Sequence, residues 1–310
     1  VEEVRREKPD FIVHSHLAVW GNLVARHFKL PTVTLFTTFI LDRRIMLPEV
    51  RKRNAGQGVD FSNISQGKLF YQKLQRLHNR LQLPDQINIW DIYVNKGNLN
   101  LSFILEAFQP RPELLGAGYH FVGFPLPVEA APLPKDVIYV ALGTVFNNEV
   151  AFYRLCIEVL KDFPHPCVLS VGKKTDRALL GQLPGHIRVE AFTDQVQVLR
   201  KTAVFITRGG MASVHEAVHT RTPMIVIPNI PEQQLTAASV EALGIGLRLA
   251  AGDLTAAALR AALRQVLDNQ AWYAENLRVL LAGKPRLPAV SLAHQLLDDH
   301  LQQELRPRRS

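Results

Sequence analysis

The chain has 310 residues, of which 47% are hydrophobic and 21% are charged, and its formal net charge is +8. This length and balance predict a globular protein with more than one core and exclude a fibrous or disordered chain. No apolar run is long enough to span a membrane, the charged start lacks the apolar stretch of a signal peptide, and two cysteines cannot form a disulfide framework. We therefore predict a cytoplasmic protein, with no zinc site on its cysteines.

The first part of the chain alternates between strand-like and helix-like segments. Apolar runs predict strands at 11–13, 32–36, 100–103 and 119–122, and helical periodicity predicts helices at 18–27 and 69–81. The polar segment from about Arg43 to Gln86 is predicted to form a mobile lobe or lid. Such alternation predicts a parallel sheet covered on both faces.

Four prolines lie close together at positions 125, 127, 132 and 134, which is typical of an extended linker. Strands are predicted beyond them at 137–142, 168–169, 187–189, 203–206 and 224–227, and the last helices at 254–267, 272–281 and 289–301. The predicted division is therefore a first domain over 1–124, a linker over 125–135, a second domain over 136–288, and a helix with a basic tail over 289–310. We read that tail as solvated, and no nucleic-acid-binding motif is present.

The segment 207–217, TRGGMASVHEA, is the most informative part of the chain. It follows a predicted buried strand and begins a predicted helix, and Gly209 and Gly210 at the junction would let backbone N–H groups approach an anion. Ser213 lies in the first helical turn, and Glu216 lies one turn later on the same side. This layout predicts a diphosphate site with a carboxylate for a sugar hydroxyl. The alternative is an ordinary tight turn between strand and helix.

Together with PMIVIPNIPEQ at 223–233, this segment resembles the donor-binding signature of UDP-dependent glycosyltransferases, in the form found in the bacterial macrolide glycosyltransferase branch. The resemblance spans nearly the whole chain and implies an α/β protein of the GT-B class, with two Rossmann-like domains across a cleft. It implies that the first domain's N-terminal strands align ahead of Val1. It also implies inverting, metal-independent transfer of a hexose from a UDP-sugar to a hydroxyl of a hydrophobic, macrolide-like acceptor. No cofactor beyond this co-substrate is implied.

The resemblance implies donor contacts along the loops that follow the strands of the second domain. Phe192 takes the place of an aromatic residue that stacks on uracil, and the Glu232–Gln233 pair takes the place of residues that bind sugar hydroxyls. Capping of a helix is the alternative for that pair, and a plain strand-ending turn is the alternative for Thr144. The complete implied donor set is Gly143, Thr144, Phe192, Thr193, Gln195, Arg208, Gly209, Gly210, Ala212, Ser213, Glu216, Glu232 and Gln233.

The chain departs from the family pattern at positions that bind the diphosphate, support the general base and shape the Phe192 loop. Arg208 replaces a diphosphate-binding histidine, and an arginine can bind phosphate with two N–H donors. Ser15 replaces an aspartate that orients the catalytic histidine, which itself aligns ahead of Val1. No general base is therefore assigned, and His14, Ser15 and His16 are weak candidates. In the Phe192 loop, Asp194 replaces a proline, which leaves the rigidity of the loop open.

The first domain is predicted to bind the acceptor, with Trp20, Phe36 and Phe39 lining the acceptor site by their match to the family pattern. Two alternatives stay open: a donor-binding pseudoenzyme or helper subunit, and another enzyme on this scaffold, such as a sugar-nucleotide epimerase. A dehydrogenase is disfavoured because no G-x-G-x-x-G follows the first strand of either half.

Overall fold

The computed structural model describes residues 1–41, 44–45, 64–84, 94–126, 133–143, 149–283 and 287–305. The chain divides into two compact units. The first comprises Val1–Pro125 and Pro285–Ser310, and the second comprises Leu126–Lys284. Among the described residues, no helix combines the length and apolar character that a membrane crossing requires.

The first unit contains a four-stranded parallel sheet whose strands lie in chain order. The strands are β1 (Ile12–Ser15), β2 (Thr32–Phe36), β3 (Leu99–Ser102) and β4 (Tyr119–Phe121), and the helices before β3 are α1 (Glu2–Glu7), α2 (Val19–Phe28) and α3 (Ile64–Arg80). Helix α3 packs Leu74 against Val19 and Leu23 of α2. This part of the predicted lobe therefore belongs to the core of the first unit. Positions 43, 46–63 and 85–86 of the predicted lobe lie outside the described residues.

The second unit contains a six-stranded parallel sheet in the order β10-β9-β8-β5-β6-β7. Its strands are β5 (Val137–Ala141), β6 (Cys167–Ser170), β7 (Ile187–Glu190), β8 (Thr202–Thr207), β9 (Met224–Val226) and β10 (Gly246–Arg248). The helices are α4 (Val150–Leu160), α5 (Gln195–Leu199), α6 (Met211–His219), α7 (Pro231–Ala242), α8 (Ala256–Asp268) and α9 (Gln270–Ala282). The strand order reverses direction between β5 and β8, and in such sheets ligands bind beyond the carboxyl ends at this point.

The last helix, α10 (Ala289–Leu305), packs on the sheet of the first unit. Its leucines Leu292, Leu296 and Leu297 contact the cluster of Val33, Leu99, Leu101 and Val122, because apolar residues three to four positions apart share one helix face. Helix α10 therefore completes the core of the first unit rather than extending the second.

Every strand predicted from the apolar runs is present, with ends displaced by no more than two residues. Strand β10 is the one described strand that the apolar pattern did not predict. It has only three residues and begins at Gly246, where a side-chain carbon would lie 2.3 Å from the carbonyl oxygen of Met224 on β9. Only glycine fits that close approach of two backbones.

Candidate functional site

The loop between β8 and α6 forms an open helix N-terminus at the switch point of the second sheet. Gly209 has a φ of 82°, and a side-chain carbon there would lie 2.5 Å from Cγ1 of Val226. Gly210 caps α6, and a side-chain carbon at that position would meet no atom within 4 Å. The first hydrogen bond inside the helix is donated by Val214 to Gly210. The preceding N–H groups, on residues 211–213, therefore have no acceptor within the helix, and they can bind an anion.

The side chain of Gln195 connects the polar groups beside this helix. Its Nε2 donates to Oγ of Ser213 at 3.0 Å and to Oε2 of Glu216 at 2.6 Å. Its Oε1 accepts from the hydroxyl of Tyr139 at 3.3 Å. The structure thus joins Gln195 to Ser213 and Glu216, which the sequence analysis placed in a different segment. Burial raises the pKa of Glu216, and the hydrogen bond from Gln195 opposes that shift.

Tyr139 is a functional neighbour that sequence reasoning missed. It lies within β5, stacks on Phe205 with ring centroids 5.1 Å apart, and shares a 2.7 Å hydrogen bond with the hydroxyl of Thr193. Burial raises its pKa to about 12, so the phenol stays protonated and can donate to Gln195. A hydroxyl inside an otherwise apolar strand was the signal that could have identified it.

The loop after β7 carries an exposed aromatic ring on a fixed support. Phe192 is 73% exposed, whereas the next residue, Thr193, is buried against Tyr139. Asp194 caps α5 by accepting a hydrogen bond from the N–H of Gln197 at 3.2 Å. The aspartate therefore fixes the loop where the family pattern has a proline, and the exposed ring of Phe192 is available for stacking.

Helix α7 begins with the pair that the resemblance linked to sugar hydroxyls. Oε1 of Gln233 accepts hydrogen bonds from the backbone N–H groups of Asn229 at 2.8 Å and Ile230 at 3.3 Å. Gln233 thus performs the capping that the sequence left as the alternative. Its amide nitrogen and the half-buried carboxylate of Glu232 are the groups that can meet a sugar.

The guanidinium of Arg208 is buried and already contacts other groups of the protein. It forms an ion pair with Glu149, donates from Nη1 to the carbonyl oxygen of Ile227 at 3.2 Å, and lies 4.9 Å from the centre of the Phe152 ring. The prediction that Arg208 binds the diphosphate is corrected accordingly, because the side chain is buried and already paired. Glu149 was not predicted, although an acidic residue just before a helix is a recognisable signal.

Comparison with known proteins decides the family. A family model described as Erythromycin biosynthesis protein CIII-like, C-terminal domain, matches residues 154–286. The uncharacterized UDP-glucosyltransferase YojK of Bacillus subtilis is 31% identical over 286 residues, which are 89% of this chain and 69% of that protein. The chain belongs to the UDP-glycosyltransferase family.

Two further relatives agree with this assignment. Oleandomycin glycosyltransferase of Streptomyces antibioticus is 25% identical over 278 residues, which are 84% of this chain and 61% of that protein. The crystal structure of the glycosyltransferase of kitacinnamycin superposes with a TM-score of 0.75 at 26% identity, covering 89% of this chain and 72% of the other. The predicted GT-B class, with parallel sheets in two Rossmann-like domains, is confirmed.

The loop after β5 contains two predicted donor contacts, Gly143 and Thr144, and only the first lies within the described residues. Gly143 has a φ of 87°, which favours glycine, and a side-chain carbon there would meet open space. Thr144, the predicted phosphate contact next to it, lies outside the described residues.

The weak candidates for a glycosyltransferase base lie at the end of β1 and are held by neighbours. His14 is buried, with Nε2 3.3 Å from the hydroxyl of Thr34 and Nδ1 3.0 Å from the carbonyl oxygen of Ser15. His16 is buried against Phe36, with ring centroids 5.1 Å apart. Burial lowers the pKa of both imidazoles, so both are neutral near pH 7. Ser15 is exposed, and its Oγ accepts from the N–H of Leu17 at 3.3 Å.

The predicted acceptor residues have different environments. Phe36 and Phe39 are 0% and 1% exposed, and Phe36 packs with Ile40 in the core of the first unit. Their assignment to an acceptor site is therefore wrong, because a side chain without accessible surface cannot contact a ligand. Trp20 is exposed and stays a predicted acceptor residue.

Proposed function

We propose that this protein transfers a hexose from a UDP-sugar to a hydroxyl of a hydrophobic, macrolide-like small molecule, with inversion at the anomeric carbon. The observation that carries the proposal is the Gln195–Ser213–Glu216 cluster beside the open N-terminus of α6. Relatives named for oleandomycin and kitacinnamycin support an acceptor of the natural-product class.

Each part of the donor has a matching chemical group. The N–H groups that begin α6 suit the diphosphate, since they combine free donors with the positive end of the helix dipole. The carboxylate of Glu216 suits the ribose hydroxyls, and the exposed ring of Phe192 suits the face of uracil. Glu232 and the amide nitrogen of Gln233 suit the hydroxyls of the sugar.

The reaction would proceed by in-line displacement. The acceptor oxygen forms a bond to the anomeric carbon, the bond from that carbon to the diphosphate oxygen breaks, and UDP leaves with the electron pair. N–H groups at the helix terminus stabilise the charge that develops on the diphosphate, so we propose that no divalent cation is required. The acceptor proton passes to a general base that we leave unassigned.

The alternative of a donor-binding relative without catalysis has no support from the comparisons, since the relatives described above are all named as transferases. An epimerase finds no support there either. A cytoplasmic location stays our proposal and is consistent with two buried free thiols, Cys156 and Cys167.

Calorimetry with UDP is the first test. We expect UDP to bind the full chain with the same affinity in the presence and absence of a metal chelator, because the proposed ligands for the diphosphate are N–H groups. No binding at millimolar UDP, or binding that the chelator removes, would contradict the proposed donor site.

Transfer itself is tested by incubating the protein with UDP-glucose and a panel of macrolide and phenolic acceptors. We expect a product that is heavier by one hexose, together with released UDP. Release of UDP at the same rate without any acceptor would indicate hydrolysis and contradict transfer to a small molecule.

A further inference from the structure

The ion pair between Arg208 and Glu149 lies next to the candidate donor site, and its two side chains differ in their exposure to solvent. Arg208 directly precedes Gly209, and its side chain is 5% exposed, whereas the side chain of its partner Glu149 is 31% exposed. The other carboxylate oxygen of Glu149 is 3.5 Å from Nδ2 of Asn229, two residues before α7 begins. The pair therefore borders both helix starts to which we assign donor contacts.

The guanidinium is held in place, yet not all of its donors are used. Nη1 donates to the carbonyl oxygen of Ile227, and Nη2 donates to Oε2 of Glu149. The ring of Phe152 covers one face of the guanidinium. Its Nε is buried and has no hydrogen-bond partner in the described part of the chain. Within the described ranges, its charge is balanced by the carboxylate of Glu149, which is partly exposed to solvent.

We propose that Glu149 is a counter-charge that cancels Arg208 beside the diphosphate and so sets the affinity for UDP and UDP-sugars. This inference rests on the donor site proposed above. In this arrangement the diphosphate meets neutral N–H groups and a neutral ion pair rather than a free arginine. The product UDP, an anion, is consequently held less tightly and leaves more readily.

The proposal predicts opposite changes in UDP affinity when each of the two charges is removed, whereas a purely structural ion pair would not. Removing the charge of Glu149 leaves one positive charge beside the diphosphate and should tighten UDP binding. Removing the charge of Arg208 leaves one negative charge and should weaken it. An unbalanced unit charge several ångströms away in a partly shielded site is expected to change UDP affinity by about tenfold. Uridine carries no phosphate, so its affinity should not change.

The test is a charge cycle on the full chain. Calorimetry measures the binding of UDP and uridine to the parent protein, to Glu149→Gln, to Arg208→Gln and to the double variant. Glu149→Asp, which keeps the charge, is the matched control. We expect tighter UDP binding for Glu149→Gln, weaker binding for Arg208→Gln, and affinities near that of the parent for the double variant and for Glu149→Asp.

Several outcomes would overturn the proposal. UDP affinity that is unchanged or lower in Glu149→Gln, with uridine unaffected, would show that Glu149 does not oppose the donor. A double variant with lower affinity for UDP but not for uridine would show that Arg208 binds the diphosphate directly. An equal loss of affinity for both ligands would show that the ion pair is purely structural.

If Glu149→Gln does not fold, the decision comes from the Arg208→Gln background, where adding Glu149→Gln must restore UDP affinity. Failure to restore it in the folded double variant overturns the proposal. If the parent protein binds no UDP at all, the proposed function fails first. UDP binding that is identical in all variants refutes the counter-charge alone.

Discussion

Replacing Gly209 with alanine is expected to abolish UDP binding and to destabilise the second unit by about 2–5 kcal/mol. The residue has a φ of 82°, which is costly for any side chain, and the new carbon would lie 2.5 Å from Cγ1 of Val226. Val226 is fully buried in β9, and close packing in a protein interior resists its displacement. The loop must therefore shift, and the N–H groups that begin α6 shift with it. Thermal unfolding and calorimetry with UDP measure the two effects.

The neighbouring glycine provides the matched control. Gly210 has a φ of −61°, and a side-chain carbon there would meet open space. Gly210→Ala is therefore expected to change stability by about 1 kcal/mol or less, a cost that comes from the weaker cap. Equal destabilisation by the two substitutions would contradict the explanation based on backbone conformation and contact with Val226.

Replacing Glu216 with alanine is expected to weaken UDP binding by about 1.5–3 kcal/mol, the contribution of a hydrogen bond to a charged group. This corresponds to roughly a tenfold to 150-fold loss of affinity. Thymidine diphosphate should lose less, because deoxyribose has one hydroxyl fewer for the carboxylate to bind. Ser213 still accepts from Nε2 of Gln195 at 3.0 Å and the hydroxyl of Tyr139 still donates to its Oε1, so the amide keeps two of its three partners. Competition calorimetry with the two nucleotides measures the difference.

Glu216→Gln is the control for this substitution. The glutamine can still accept a hydrogen bond from Gln195, but it lacks the charge that strengthens bonds to ribose hydroxyls. We expect an intermediate loss of UDP affinity with the stability of the parent protein. If UDP and thymidine diphosphate lose the same affinity in Glu216→Ala, the carboxylate supports the fold of the site and does not bind ribose.

Most of the fold could be predicted because most of its strands are largely buried and appear as continuous apolar runs. Strands such as β8, with all six residues buried, carry that signal in the sequence alone. Strand β10 could not be predicted in this way. Its three residues become a strand because Gly246 allows β9 to approach, and that approach depends on the tertiary structure.

Within the site, the arrangement that the sequence could predict is a local one. Gly209, Ser213 and Glu216 belong to one loop and one helix, so their spacing in the sequence fixes their arrangement. Partners from distant segments were missed for the opposite reason. Tyr139 on β5 meets Gln195 on α5 across 56 positions, and Glu149 meets Arg208 across 59 positions.

The two corrected predictions share one physical cause. Both predictions used the charge or the aromatic character of a side chain, and the sequence does not show whether that side chain is buried. Arg208 was expected to face an anion, but its side chain is buried and paired with a carboxylate on α4's N-terminal side. Phe36 and Phe39 were expected to face a ligand, but their side chains fill the core of the first unit.

A crystal structure of the chain with UDP would test the donor site most directly. We expect the diphosphate oxygens at the N–H groups of Ala212 and Ser213, the ribose hydroxyls on the carboxylate of Glu216, and the uracil against the ring of Phe192. Arg208 should remain paired with Glu149. UDP bound away from the start of α6, or a diphosphate that takes Arg208 from Glu149, would contradict this account.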